Sequence, residues 1–138
     1  MEYNNYKKPD AGCDKYGIPR LEMAVYLRDN ILNLLDKQWF IENGTLLGAI
    51  RNNKFIPHDD DFDIGILIDS KDEIDTIHQY INKLLPSKYK SRIIDTYCNK
   101  IEIYQPEYGN YKLLGPKYKN ADYHYITIDL QFYLKIKN

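Results

Sequence analysis

The run Ile56-Pro57-His58-Asp59-Asp60-Asp61-Phe62-Asp63-Ile64-Gly65-Ile66-Leu67-Ile68 makes two demands on one short stretch of chain. Its second half is apolar enough to require burial, while its middle carries four carboxylates within five positions. Such charges repel one another unless a cation or solvent neutralises them. Strand alternation places Asp61 and Asp63 on one face and Phe62, Ile64 and Ile66 on the other. The two acids then stand about 7 Å apart along that face, close enough to grip the same divalent ions and phosphate groups. A solvated acidic loop is disfavoured by the apolar strand fused to it. An EF-hand loop starting at Asp59 fails, because its sixth position is Ile64 rather than Gly and its twelfth is Ser70 rather than Glu. No Walker motif is present. Metal-assisted phosphoryl chemistry is the reading that remains.

The rest of the sequence bounds that reading. A chain of 138 residues suits one domain with a core of ordinary size. Lys and Arg number 19 against 20 Asp and Glu, so no global field recruits nucleic acid or an anionic membrane, and neither is expected as a partner. The apolar runs are too short to span a bilayer. The first residues, Met-Glu-Tyr-Asn-Asn-Tyr-Lys-Lys-Pro-Asp, lack the apolar core of a signal peptide, and a cytoplasmic protein is expected. Cys13 and Cys98 share no metal-ligand spacing and read as free thiols. The 14 tyrosines, with abundant Asn, Lys and Ile, match an AT-rich coding bias that needs no functional explanation.

Residues 1–17 read as a polar lead-in and 18–138 as the domain. Pro19 suits a first helical turn, and Leu21, Ala24, Val25, Ile31, Leu32 and Leu35 mark a helical stripe to about Lys37. Trp39-Phe40-Ile41 is a short strand, and Thr45 is placed to cap a helix through Ile50 that ends at Asn52-Asn53-Lys54. Phe62–Ile68 is the second strand. Ser70-Lys71-Asp72-Glu73 forms a capping box for a helix bearing Ile74, Ile77, Ile81 and Leu84, closed by Pro86. The remainder reads as strands at Arg92–Tyr97, Lys100–Gln105, Tyr111–Leu114 and Tyr125–Leu134, with turns at Gly109-Asn110 and Gly115-Pro116. The fold class is therefore α/β or α+β, a single domain with a mixed β-sheet flanked by helices.

Two further features bear on chemistry. Gly44-Thr45 follows a strand and opens a helix, where glycine lets a phosphate approach the backbone and the helix N-terminus carries partial positive charge. Alone, that pattern is equally an ordinary cap. Asn43-Gly44-Thr45 is also a glycosylation sequon, and a glycan there would block the site. In Tyr125–Leu134, Ile126, Ile128, Leu130, Phe132 and Leu134 share one face, and Thr127, Asp129 and Gln131 the other. If this strand pairs with Phe62–Ile68, Asp129 joins Asp61 and Asp63 on one sheet face, and three convergent carboxylates suit a two-metal site.

These residues resemble a known family. Gly44-Thr45-Leu46-Leu47-Gly48-Ala49-Ile50-Arg51, followed by Phe55-Ile56-Pro57-His58-Asp59-Asp60-Asp61-Phe62-Asp63-Ile64, is similar to the LicD and fukutin-related family of the nucleotidyltransferase superfamily that includes DNA polymerase beta. The superfamily pattern is Gly followed by Gly, Ser or Thr, then Asp-hydrophobic-Asp, then a third carboxylate on a later strand. Thr45, Asp61-Phe62-Asp63 and Asp129 occupy those places. The resemblance implies a nucleotidyltransferase-type sheet and dependence on Mg²⁺ or Mn²⁺. It also implies transfer of a phosphorylated group, phosphocholine or polyol phosphate, from a CDP-linked donor to a glycan or similar hydroxyl acceptor. By position, Asp61 and Asp63 would bind metal, Asp129 would bind metal or assist proton removal, and Gly44 and Thr45 would contact donor phosphate. Arg51 would clamp phosphate through its planar guanidinium or stand solvated near a helix end. Asp59 would bind through water, and His58 would pack or hydrogen-bond.

Members of that family usually carry long segments beyond the third acid, whereas nine residues follow Asp129 here, so donor and acceptor specificity are not carried over. Two alternatives stay open: a minimal nucleotidyltransferase that modifies RNA or protein from ATP or CTP, and a non-catalytic nucleotide-binding relative. Lys88, Lys90, Arg92, Lys112, Lys117 and Lys119, interleaved with tyrosines, read as a solvated β face before a binding surface. His78 reads as structural or exposed, and nothing assigns His124 a task.

Overall fold

The computed structural model describes residues 14–53, 61–94, 100–108, 110–112, 122–124 and 126–136. His58, Asp59, Asp60, Cys13, Cys98, Lys117, Lys119 and the Gly115-Pro116 turn lie outside them. The elements run α1 (Asp14–Asn30), β1 (Trp39–Ile41), α2 (Asn43–Asn52), β2 (Asp61–Ile68), α3 (Glu73–Leu84), β3 (Lys90–Ile94), β4 (Lys100–Tyr104), β5 (Asn110–Lys112), β6 (Asp122–His124) and β7 (Thr127–Leu134). Five strands form one mixed sheet in the order β1-β2-β7-β4-β3, and β5 with β6 makes a separate hairpin. The β2–β7 pair is parallel, and the other pairs are antiparallel. This is the expected mixed sheet with flanking helices.

Apolar alternation divides the sheet into two unlike faces. Ile64, Ile66 and Ile68 of β2, Ile128 and Leu130 of β7, and Ile101 and Ile103 of β4 are buried on one face. They pack in one cluster with Met23 and Leu27 of α1, Ile31 and Leu32 after it, and Ile74, Ile77 and Ile81 of α3. Each such side chain contributes about 1.5–3 kcal/mol, and that fixes which face of each strand turns inward. The opposite face carries the polar residues of the same strands.

The first helix departs from expectation. It begins at Asp14 rather than Pro19, which lies inside it, and it ends at Asn30, followed by a single 3-10 turn at Leu32–Leu34. Its buried face is Gly17, Arg20, Met23, Ala24 and Leu27, while Leu21 and Val25 are exposed. The apolar stripe misplaces this face because it cannot count Arg20, a charged residue whose stem and head are both enclosed here. The residues Asp14–Gly17, read as part of the lead-in, are its first turn.

The capping box forms in part. Glu73 Oε2 accepts from the Ser70 and Asp69 backbone N–H groups at 2.9 and 2.6 Å, while its other oxygen pairs with Lys37. His78 Nε2 lies 3.0 Å from Ser91 Oγ, tying α3 to β3, which bears out its structural reading. Lys37 and those N–H groups hold the Glu73 carboxyl down at about 2, against an ordinary 4.5. A carboxyl so depressed contributes stability that is present above pH 4.5 and lost as pH falls towards 2. Glu73→Gln should therefore cost about 1 kcal/mol at neutral pH after solvent screening and flatten the acid limb of stability between those values. Urea melts across that pH range check it.

Candidate functional site

The site begins with the turn from β1 into α2. Asn43 adopts a left-handed backbone, φ 54°, a conformation Asn tolerates better than most residues, and this turns the chain sharply beside β2. Glu42, the last extended residue, donates its N–H to the Asp63 carbonyl at 3.0 Å. The Asp63 N–H in turn donates to Thr45 Oγ1 at 2.8 Å. Thr45 is therefore not the helix cap: α2 starts at Asn43 with Glu42 in the cap position and no side-chain cap bond. The buried threonine hydroxyl instead takes the place of a ladder partner where β1 has run out.

Across the sheet, register does the rest. Asp63 of β2 lies opposite Asp129 of β7, and Asp129 lies opposite Glu102 of β4. Neighbouring strands are about 4.8 Å apart, so the three share one face at adjacent-strand spacing. Glu42, bonded to Asp63 through the backbone, extends the row on the other side. All four are buried, between 3% and 9% exposed. Asp61 opens β2 opposite Thr127, two positions before Asp63. The expected pairing of the Asp129 strand with the Asp61 and Asp63 strand is what the sheet contains.

Buried carboxylates are costly unless paired, and the far half of the row has its cations. Arg92 of β3 donates to Glu102 Oε1 through Nε at 2.9 Å and Nη2 at 2.8 Å, and its guanidinium lies 5.5 Å from the Tyr104 ring centre. Lys100 Nζ donates to Asp129 Oδ2 at 3.1 Å. Arg92, read as part of a solvated basic face, is thus the partner of a buried acid. At the near end, Tyr133 O–H donates to Glu42 Oε2 at 2.8 Å, and its ring stacks on Phe40 with centres 6.0 Å apart. The Phe40 ring covers Gly65, where an added Cβ would fall 2.5 Å from it; only glycine leaves room for that approach.

The other expected residues divide. Gly44 is half-buried at the start of α2, close to Thr45. Arg51 is exposed in the last turn, about 9 Å along the helix axis from Thr45, so α2 does not bring the two together. Sequence reasoning missed Glu42, Glu102 and Lys100. A signal for Glu102 was present, since Ile101-Glu102-Ile103 repeats the pattern of Ile128-Asp129-Leu130: one acid between two inward-facing apolar residues.

Among the described residues, no three of His, Cys, Asp and Glu stand as a ready-made metal cluster. The donor set nonetheless fits a hard divalent ion: oxygen ligands alone, with two carboxylates fixed in register on one face and a third position two residues away on the same strand.

The sequence pattern of the LicD/FKTN/FKRP nucleotidyltransferase domain matches residues 36–128. An uncharacterised protein of Rickettsia typhi (strain ATCC VR-144 / Wilmington) is 57% identical over 70 residues, 47% of this chain and 22% of that protein. Another, of Rickettsia prowazekii (strain Madrid E), is 47% identical over 49 residues, 36% of this chain and 16% of that one. The matched segments thus span less than a quarter of those relatives. An antigenic nucleotidyltransferase-like protein from Paracoccidioides brasiliensis superposes with a TM-score of 0.43 at 17% identity, over 84% of this chain and 47% of its own.

The Thr45–Asp63 bond yields a direct expectation. Thr45→Val keeps the shape but strands a buried N–H, at a cost of about 1–3 kcal/mol, whereas Thr45→Ser should stay near wild type. Chemical denaturation of the three proteins measures both.

Proposed function

Because the chain belongs to the LicD/FKTN/FKRP family of nucleotidyltransferase domains, we propose that it is a transferase moving a phosphorylated group from a CDP-linked donor to a hydroxyl acceptor, of glycan type. The observation that carries this is the in-register pairing of Asp63 with Asp129 on parallel strands, with Asp61 two positions before Asp63. In-line attack on phosphorus needs negative oxygens of nucleophile, phosphate and leaving group held close together. Carboxylates on a rigid sheet set that geometry with little freedom to lose. Bound between them, Mg²⁺ or Mn²⁺ would neutralise the donor phosphates and lower the pKa of the acceptor hydroxyl.

In this reading Asp61 and Asp63 would hold the metal, and Asp129 would hold metal or assist removal of the acceptor hydroxyl's proton. The Thr45 hydroxyl accepts from the Asp63 N–H and keeps its own proton to donate to a phosphate oxygen. Gly44 lets phosphate approach the start of α2. Arg51, at the far end of that helix, suits a more distant part of the donor.

The test is incubation with Mn²⁺ and labelled CDP-linked donors beside labelled ATP and CTP. Label passing from a CDP-linked donor to a hydroxyl acceptor supports the proposal. Label ending on RNA or protein from a nucleoside triphosphate selects the minimal nucleotidyltransferase, and nucleotide binding without product selects the non-catalytic relative. Asp63→Asn should reduce turnover by about a thousandfold or more, the loss of roughly 4 kcal/mol of transition-state stabilisation. Saturating Mn²⁺ should stabilise the wild type by about 2.7 kcal/mol at 100 times its dissociation constant. That stabilisation should largely vanish in Asp63→Asn, and thermal melts with and without Mn²⁺ read it without any assay.

A further inference from the structure

We propose that Lys100 is a placeholder cation: its ammonium occupies the third carboxylate in the metal-free protein, a divalent ion displaces it, and the freed ammonium then pairs with a substrate phosphate. The inference rests on the reading of Asp129 as a metal ligand and adds a residue and an order of events that this reading does not contain.

Three observations carry it. Lys100 Nζ sits 3.1 Å from Asp129 Oδ2, a charge-assisted contact on one oxygen of the carboxylate that the transfer reading assigns to metal. Asp129 as a whole is only 4% exposed, so a charge on its carboxylate calls for a cation close by. Finally, the contact is diagonal. Glu102, not Lys100, is the register partner of Asp129, and Lys100 lies opposite Gln131. Nothing in the strand pairing therefore fixes the ammonium on Asp129; a long flexible stem reaches across to it, and the same stem can swing it away.

The physical logic is charge exchange. Leaving Asp129 buried without a cation is costly, and Lys100 relieves that cost while no metal is bound. A doubly charged ion shared with Asp61 and Asp63 outcompetes one ammonium for the same oxygen. The displaced ammonium would remain on the strand next to Asp129, able to pair with a phosphate bound at the same site. Metal first and phosphate second follows as the favoured order.

The experiment reads metal affinity with no donor present. Lys100→Met, and Lys100→Gln as a variant that keeps a polar end, should bind Mn²⁺ about tenfold more tightly than wild type by calorimetry, a gain of ~1.4 kcal/mol. Their metal-free melting temperatures should fall, and their Mn²⁺-induced rises should exceed that of wild type. With Mn²⁺ saturating, CDP should bind these variants more weakly. In the unaltered protein, amine acetylation followed by peptide mass spectrometry should find Lys100 protected without Mg²⁺ and reactive with it. Unchanged or weakened Mn²⁺ binding in both variants, or Lys100 reactivity indifferent to Mg²⁺, overturns the proposal while leaving the transfer reading intact. If wild type binds Mn²⁺ but no CDP-linked donor, the transfer reading fails, and the placeholder role is still decided by the metal affinities.

Discussion

Slipping β7 by one residue against β2 would turn its side chains to the opposite face of the sheet, and the pairing is held against that slip from both sides. On the inner face, Ile64 and Ile66 meet Ile128 and Leu130 in the buried cluster under α1 and α3. On the outer face, the same alignment sets Asp63 beside Asp129. Exposing several of those apolar side chains would cost about 1.5–3 kcal/mol each, and that loss opposes any relief of repulsion between the acids. Hydrophobic burial on one side of the strand thus dictates electrostatic crowding on the other.

That crowding is managed by neighbours rather than avoided. Arg92, Lys100 and Tyr133 each supply donors to one acid of the row, and each comes from a different strand of the same sheet. The row is stiff because Asp63, Asp129 and Glu102 ride on paired strands and not on loops. Stiffness suits a site that must present oxygens at fixed spacing. The expense is a set of charges that a sheet selected for stability alone would replace with apolar residues.

How much of this could be read from the residues depended on period. β2 and β7 were legible because apolar residues alternate through Asp61–Ile66 and Thr127–Phe132, so the parity of Asp61, Asp63 and Asp129 followed at once. The α1 face was not, because a buried arginine and an internal proline both break helical patterning. Glu102, Lys100 and Arg92 were hidden for another reason. In a strand such as Lys-Ile-Glu-Ile-Tyr the polar positions look solvated, and only the register across β7 and β3 reveals that they meet an acid or cover one. Thr45 was legible as a polar residue at a helix start, but its real partner lies across space on β2, where no local rule looks. Part of the acidic run, Asp59 and Asp60, lies outside the described residues.

The alignment of β2 with β7 also shapes how the protein comes to be. Asp63 and Asp129 meet across a connection of nearly half the chain's length, and such parallel, non-local pairing forms late in folding because loop entropy is lost before contacts repay it. On the ribosome, β2 emerges with its acids long before β7 exists to receive them. During that interval the carboxylates stay in water and their apolar neighbours have no sheet to join, which is when such a strand is most exposed to wrong partners. Asp59, Asp60, Asp61 and Asp63, four carboxylates within five positions, repel a second copy of the same segment. Asp63, crowded by Asp129 in the finished sheet, would thus belong to a run that guards the unfinished chain.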